Sequence, residues 1–175
     1  MQARARFAGH AIHPILIVLP LGLLVTAVVF DALFLATGSA NFAVSGAYTT
    51  VAGVVGGLFA ALFGWVDWFA IPARTRAKRI GLLHGVGNVV VLALFAVGWL
   101  LRLDSTTWEP SVTSFLITLA GLVLAAVTGW LGGELVERLG VGVDDDAGLD
   151  ASSSLKRTVD TPRHDVTAAE HPTGT

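Results

Sequence analysis

The sequence predicts an all-α integral membrane protein, a bundle of four transmembrane helices. Between Arg79 and Arg102 the chain runs 22 residues without a charge, and similar apolar stretches precede Asp31 and separate Glu109 from Glu134. A helix needs roughly 20 mainly apolar residues to cross the hydrocarbon core. Of the 175 residues, 54% are hydrophobic and 14% are charged, against about 25% charged in soluble domains. One membrane domain therefore accounts for most of the chain.

Each helix follows from one apolar segment and the residues that bound it. The first opens at Pro14, a residue favoured in the first turn of a helix, and the second stops at the carboxylate of Asp67. The third fills the uncharged run, and the fourth ends before Glu134. We expect a transmembrane domain over residues 1–143, with helices at about 14–37, 46–66, 80–101 and 112–133.

The basic residues of the loops predict the orientation. Arg4 and Arg6 precede the first helix, and the loop between the second and third helices holds four more basic residues, Arg74, Arg76, Lys78 and Arg79. The opposite side offers Arg102 with Asp104 and Glu109. Since short cytoplasmic loops carry an excess of Lys and Arg, we expect both termini in the cytoplasm and a multi-pass protein of a bacterial inner membrane.

The composition changes abruptly after Val143. Three aspartates, 144–146, and three serines, 152–154, open a stretch of small, polar and charged residues. Such a segment buries too little apolar area to offset its chain entropy. We expect a disordered cytoplasmic tail over residues 144–175.

Composition excludes several classes of function. The formal net charge is −2, without the clustered basic face that a nucleic-acid partner needs. Without cysteine, the chain cannot form disulfides, cysteine-ligated iron–sulfur clusters or thiolate metal sites. The sequence contains no phosphate-binding loop and no H-E-x-x-H helix. An enzyme acting alone is therefore disfavoured, and composition fits a structural or accessory membrane subunit.

The predicted topology gathers polar residues near the cytoplasmic surface, where ionisable groups are costly and tend to have a role. Four of them share this end of the bundle: His13, Asp67, His84 and Glu134. Asn88 lies one turn deeper than His84 on the same helical face. Asp31 is separate, since its position along the first helix puts it about 24 Å away, near the outer boundary.

The two histidines suggest an alternative function, a redox or ligand-binding membrane domain. His13 and His84 could coordinate one b-type haem across the bundle, with Gly81 and Gly85 making room. They could instead bind a divalent transition metal assisted by Asp67 and Glu134. A redox partner protein would follow from either. Each residue alone also fits a structural interpretation, as a helix cap or as an interhelical hydrogen-bonding group.

Small residues recur every fourth position in two helices. They are Ala52, Gly56, Ala60 and Gly64 in the second helix, and Gly121, Ala125, Gly129 and Gly133 in the fourth. Small side chains let membrane helices approach closely. We expect them to pack the bundle internally, and a homodimer face is the alternative.

Two segments also suggest a duplicated helix hairpin. Gly64-Trp65 before Asp67 is similar to Gly129-Trp130 before Glu134, and each hairpin begins near a histidine. A parallel repeat about an axis along the membrane normal would pair His13 with His84 and Asp67 with Glu134.

A series of motifs over about residues 7 to 143 resembles a known family. In order, they are His13-Pro14, residues 19–23 (LPLGL) with Asp31, residues 64–68 (GWVDW) with Ile71-Pro72 and residues 75–77 (TRA), Leu83-His84 to Asn88, Leu101-Arg102, residues 131–136 (LGGELV) and residues 140–143 (GVGV). This series resembles the bacterial membrane proteins grouped as domain of unknown function 2231.

The resemblance implies a small four-helix inner-membrane protein without an assigned activity. Such proteins occur alone or fused to other domains, sometimes to Rieske-type ferredoxin modules, and that association favours a redox role. Members often have Tyr and His in the closing motif, where this chain has Glu137 and Leu139. This chain therefore lacks the family's histidine at that position.

Overall fold

Four long helices dominate the computed structural model, which describes residues 1–155. In chain order the elements are β1 (Arg6–Phe7), β2 (His10–Ala11), α1 (Ile12–Thr37), α2 (Ala40–Ala70), α3 (Arg76–Leu100), α4 (Val112–Gly133) and a π-helical turn at Glu134–Arg138. β1 and β2 form a small antiparallel hairpin ahead of α1. All four α-helices are long and apolar enough to cross a membrane. The predicted fold class is confirmed.

Local signals explain where the helices differ in length from the predicted spans. α2 extends beyond residues 46–66 at both ends and stops at Ile71, which is extended (φ −66°, ψ 129°) because a residue before proline avoids the helical region. α3 begins within the basic loop because the Thr75 side chain accepts a hydrogen bond from Lys78 N, a capping interaction. α4 coincides with residues 112–133, and Ser111 caps it through Ser114 N.

The helices form two hairpins that close into a ring. α1 packs along α2 and α3 along α4, while smaller contacts join α2 to α3 and α4 to α1. α1 and α3 therefore lie on one diagonal of the bundle. The central core contains Leu24 and Val28 from α1, Val91 and Phe95 from α3, and Ala125 from α4. Large apolar side chains cover the outside, such as Val18, Leu62 and Val123, as expected for a lipid-facing surface.

The two hairpins repeat each other. His13, Leu24 and Asp31 of the first half correspond to His84, Phe95 and Arg102 of the second, always at the separation of 71 residues found for Asp31 and Arg102. Their contacts repeat as well. Leu24 lies against Gly53 of α2 just as Phe95 lies against Gly121 of α4. The sequence and the packing together support a duplicated hairpin about the bundle axis.

The register of this repeat differs from the predicted one. Gly64 of α2 faces the ring of His13, and its counterpart facing His84 is Gly132, not Gly129. The Gly-Trp match was misleading because Gly129 has open space around it and Trp130 is exposed. Equivalence follows from packing against the opposite helix, which a local sequence match does not report.

The start of the predicted tail contacts the N-terminal arm. Residues 144–155 contain no helix or strand, and Asp144 accepts a 2.8 Å contact from Arg6 Nη2. Gly142 N also donates to Met1 O at 2.9 Å. The remainder of the predicted disordered tail, residues 156–175, lies outside the described residues, so the tail stays a prediction.

Candidate functional site

Two histidines from diagonally opposed helices meet at one end of the bundle. His13 lies in the first turn of α1, and His84 lies in the third turn of α3. Their ring centroids are 6.3 Å apart and the ring planes are perpendicular. Both residues are partly buried. Because the hairpins repeat, the pair lies across the pseudo-twofold axis of the bundle.

The two rings are held in the same way. His13 Nδ1 lies 2.9 Å from the carbonyl oxygen of Ala60, and His84 Nδ1 lies 2.8 Å from that of Thr128. A carbonyl oxygen can only accept, so each Nδ1 carries the proton and donates. In a neutral imidazole the other nitrogen, Nε2, then keeps its lone pair.

Two glycines on the neighbouring helices leave space for the histidine rings. A Cβ added to Gly64 would lie 3.0 Å from Cε1 of His13, and one added to Gly132 would lie 3.1 Å from Cε1 of His84. Each glycine follows by one turn the residue whose carbonyl accepts the histidine bond. A larger residue there would push the ring away from its acceptor.

Asn88 extends the network around His84. Its Nδ2 donates to His84 O at 2.8 Å and lies 3.3 Å from His84 Nε2. Its Oδ1 accepts from Thr128 Oγ1 at 3.1 Å. Asn88 therefore joins α3 to α4 beside the histidine pair, near His84 as the spacing predicts.

The two carboxylates of the predicted metal set have other partners. Asp67 Oδ1 accepts from the backbone N–H groups of Arg4 and Ala5 at 2.7 and 2.9 Å. Glu134 Oε1 pairs with Arg76 Nη2 at 2.6 Å. Within residues 1–155, no group of three or more His, Asp or Glu is arranged to hold a metal ion. Of the four residues, the structure brings the two histidines together.

Two indoles fill the space expected beside His84. A Cβ on Gly81 would lie 2.8 Å from Trp68 Cδ1, and one on Gly85 would lie 3.5 Å from Trp65 Cζ2. These glycines were expected to make room for a haem. Instead, they accommodate the tryptophans of α2, because the end of α2 packs directly on the start of α3.

A second polar pair lies at the other end of the bundle. Asp31 and Arg102 are fully buried, and Arg102 Nη2 donates to Asp31 Oδ2. Asp31 Oδ1 and Arg102 Nε and Nη1 are also buried and make no hydrogen bond within the described residues. The apolar core described above separates this ion pair from the histidines.

Sequence reasoning missed this ion pair. It treated Asp31 as an isolated residue near the outer boundary and Arg102 as a loop charge. The available signal was spacing, since Asp31 follows His13 by as many residues as Arg102 follows His84. Recognition of the repeat would have put both side chains across the same axis.

Comparison with known proteins gives one result. The model of a family described as predicted membrane protein (DUF2231) matches residues 9–145. That range contains both histidines and both members of the buried ion pair. Neither a curated protein nor a solved structure matches the chain.

Proposed function

Because the chain belongs to the DUF2231 family of predicted membrane proteins, we propose that it serves in a bacterial inner membrane as a structural or accessory subunit. The observation that carries this proposal is the bonding of polar side chains between helices. His13 binds a carbonyl of α2, and His84 and Asn88 bind residues of α4. Ser114 of α4 donates to Gly98 O of α3 at 2.7 Å.

These contacts suit a subunit that must keep a fixed shape in lipid. Lipid tails provide no hydrophobic drive for helices to associate, so packing and interhelical hydrogen bonds determine their arrangement. Each such bond contributes on the order of 0.6 kcal/mol. A rigid bundle with a lipid-facing surface can present its loops and termini to a partner protein.

His84→Asn tests whether the histidine acts as an interhelical hydrogen-bonding group, because asparagine can keep that bond but removes the imidazole ring. Asparagine puts an amide N–H close to the position of histidine Nδ1, so His84→Asn can keep the bond to Thr128 O. We expect this variant to retain its melting temperature in detergent, and the full chain at native expression to migrate within a larger assembly in either form. Migration of the native protein as an isolated 18.2 kDa chain would contradict an accessory role.

A second candidate is a redox or ligand-binding domain built on His13 and His84. The arrangement of the rings favours it, since metal-binding histidines usually donate their other N–H to a carbonyl or carboxylate. A bound haem, or a redox-active metal such as iron, would supply one-electron chemistry to a redox partner protein. The haem version requires the two indoles to move, and a divalent ion assisted by Asp67 and Glu134 requires those carboxylates to leave their present partners.

The test of the second candidate is an absorption spectrum and elemental analysis of the detergent-purified protein, expressed with haem and metals supplied. Bound cofactor should disappear in His84→Ala and remain in Ser152→Ala. A colourless, metal-free wild-type protein would refute this candidate and leave the histidines as interhelical bonding groups.

A further inference from the structure

The buried ion pair lies on the axis that relates the two hairpins. Asp31 and Arg102 are separated by 71 positions, as His13 and His84 are, so the two charged residues occupy equivalent positions in their own hairpins. Equivalent residues of two repeats contact each other only where both lie close to the axis between the repeats. Arg102 Nη2 donates to Asp31 Oδ2. The residue at this position in one hairpin therefore faces the equivalent residue of the other.

Other groups near this axis do not distinguish one hairpin from the other. The rings of His13 and His84 lie 6.3 Å apart, and they are the same chemical group. Leu24 of the first hairpin and Phe95 of the second pack in one apolar core, where either hairpin offers an apolar side chain. At the ion pair, by contrast, one hairpin provides an acid and the other a base.

This difference makes the association of hairpins selective. Two copies of the first hairpin would put Asp31 against Asp31, and two copies of the second would put Arg102 against Arg102. Both side chains are buried, so water would not screen the repulsion, and juxtaposed like charges are strongly unfavourable. Arginine cannot relieve the repulsion by losing its proton. The penalty is absent only when a first hairpin meets a second one.

We propose that Asp31 and Arg102 form a recognition site between hairpins, which accepts the α3–α4 hairpin beside the α1–α2 hairpin and rejects an identical one. The accepted hairpin comes from the same chain or from a second copy of it, because both present the same surface. Lipid tails give apolar helix faces no hydrophobic preference for one another. The buried charges provide the preference that the apolar faces lack.

The loop between the hairpins allows such an exchange between copies. α2 ends at Ala70 and α3 begins at Arg76, so residues 71–75 connect them. Extended, this connection spans roughly 17 Å, whereas packed helices lie about 8–10 Å apart. Arg74 in this loop has a φ of 63°, a left-handed conformation that is unfavourable for a residue other than glycine. Opening the loop would release that strain.

The test uses two full-length variants, Asp31→Arg and Arg102→Asp, which carry different affinity tags and are expressed in the same cells. Each variant alone brings like charges together on its own axis. If the two chains exchange hairpins, the substituted residues face each other and the native residues face each other, so both positions again pair opposite charges. We expect the two tags to copurify in detergent at least about 10-fold more than either variant does with a differently tagged copy of itself.

A second ion pair provides the matched control. Arg76 and Glu134 pair within the second hairpin, so an exchange of hairpins cannot reunite the substituted members. Arg76→Glu coexpressed with Glu134→Arg should therefore copurify no more than each variant does with itself. Wild type carrying both tags measures association through other surfaces. Purification at pH 8 keeps two facing aspartates from sharing a proton, as paired carboxylates do in acid.

The result is informative even if a single variant does not fold. A like-charged variant that is degraded when expressed alone should accumulate in the membrane when its complement is present. Equal copurification of complementary and identical variants would overturn the recognition site. It would also be overturned if coexpression restored neither variant, or if each variant alone accumulated and melted as the wild type does.

Discussion

Removing one member of the buried ion pair should be the most damaging single change in the transmembrane domain. Arg102→Met keeps an unbranched, flexible side chain but deletes the guanidinium group with its charge and donors. The Asp31 carboxylate would then be fully buried without its donor, since neither of its oxygens has another partner among the described residues. Breaking a buried pair in this way costs about 3–5 kcal/mol.

The loss of stability should depend on whether a buried charge is left without its partner. Both side chains are almost completely excluded from solvent, so water does not screen the remaining charge. An apolar double variant, Asp31→Leu/Arg102→Met, removes both charges, and such replacements are often neutral or stabilising by 1–4 kcal/mol. The single variant should therefore be much less stable than the double variant.

The repeat adds a stricter test. Asp31 and Arg102 occupy equivalent positions of the two hairpins, so the exchanged pair Asp31→Arg/Arg102→Asp presents the same charges across the same axis. We expect the exchange to recover at least half of the loss caused by Arg102→Met alone. Gly46 limits the recovery, because it packs closely on position 31: a Cβ there would lie 2.5 Å from Asp31 Oδ1, so the longer arginine has little room at that position.

The assay is equilibrium unfolding in a detergent titration, with Arg76→Met as the control. Arg76 also pairs with a carboxylate, Glu134, but its side chain is 54% exposed, so its loss should cost under about 1 kcal/mol. The reasoning is refuted if Arg102→Met is no more destabilising than Arg76→Met, or if the apolar double variant is as unstable as the single one.

Three further predictions follow from the topology and the packing. Cysteine labelling should reach Thr107→Cys but not Ala77→Cys from outside intact cells; external labelling of Ala77→Cys would reverse the predicted orientation. Gly53→Ala should cost about 1–3 kcal/mol because its Cβ would lie 2.7 Å from a core leucine of α1, whereas Gly22→Ala meets open space and should not destabilise; equal thermal stability of the two would contradict this packing. Truncation after Val143 should leave the melting temperature in detergent nearly unchanged, since it removes no apolar span and, among the described residues, two partly exposed ion pairs; a large drop would mean that the tail docks on the bundle.

The sequence by itself determined the four membrane helices. Whether a segment can cross a bilayer depends on about 20 consecutive side chains and on backbone bonds made within the segment. Both are local properties. The ends of α2 and α3 were predicted less accurately because single residues set them. A proline after Ile71 ends α2, and the Thr75 side chain caps α3. The charges of the loop between them suggested a longer break in the helices.

The sequence also indicated which histidines lie close together, because helix direction alone brings His13 and His84 to one end. It did not indicate how the carboxylates are used. Asp67 and Glu134 share that end, but the N-terminal arm and Arg76 bind them. Their partners lie far away along the chain, and no spacing rule connects a helix end to a loop that folds back onto it.

Only the tertiary structure decided which side chains contact each other at the axis of the bundle. The pairing of Asp31 with Arg102, and the use of Gly132 rather than Gly129 opposite a histidine ring, both depend on how each helix is rotated and how far it is shifted against its neighbours. All sides of these helices are apolar enough for lipid, so hydrophobic pattern does not select the inward face. Close packing on small residues and the cost of an unpaired charge select it instead, and both act only once the helices are together.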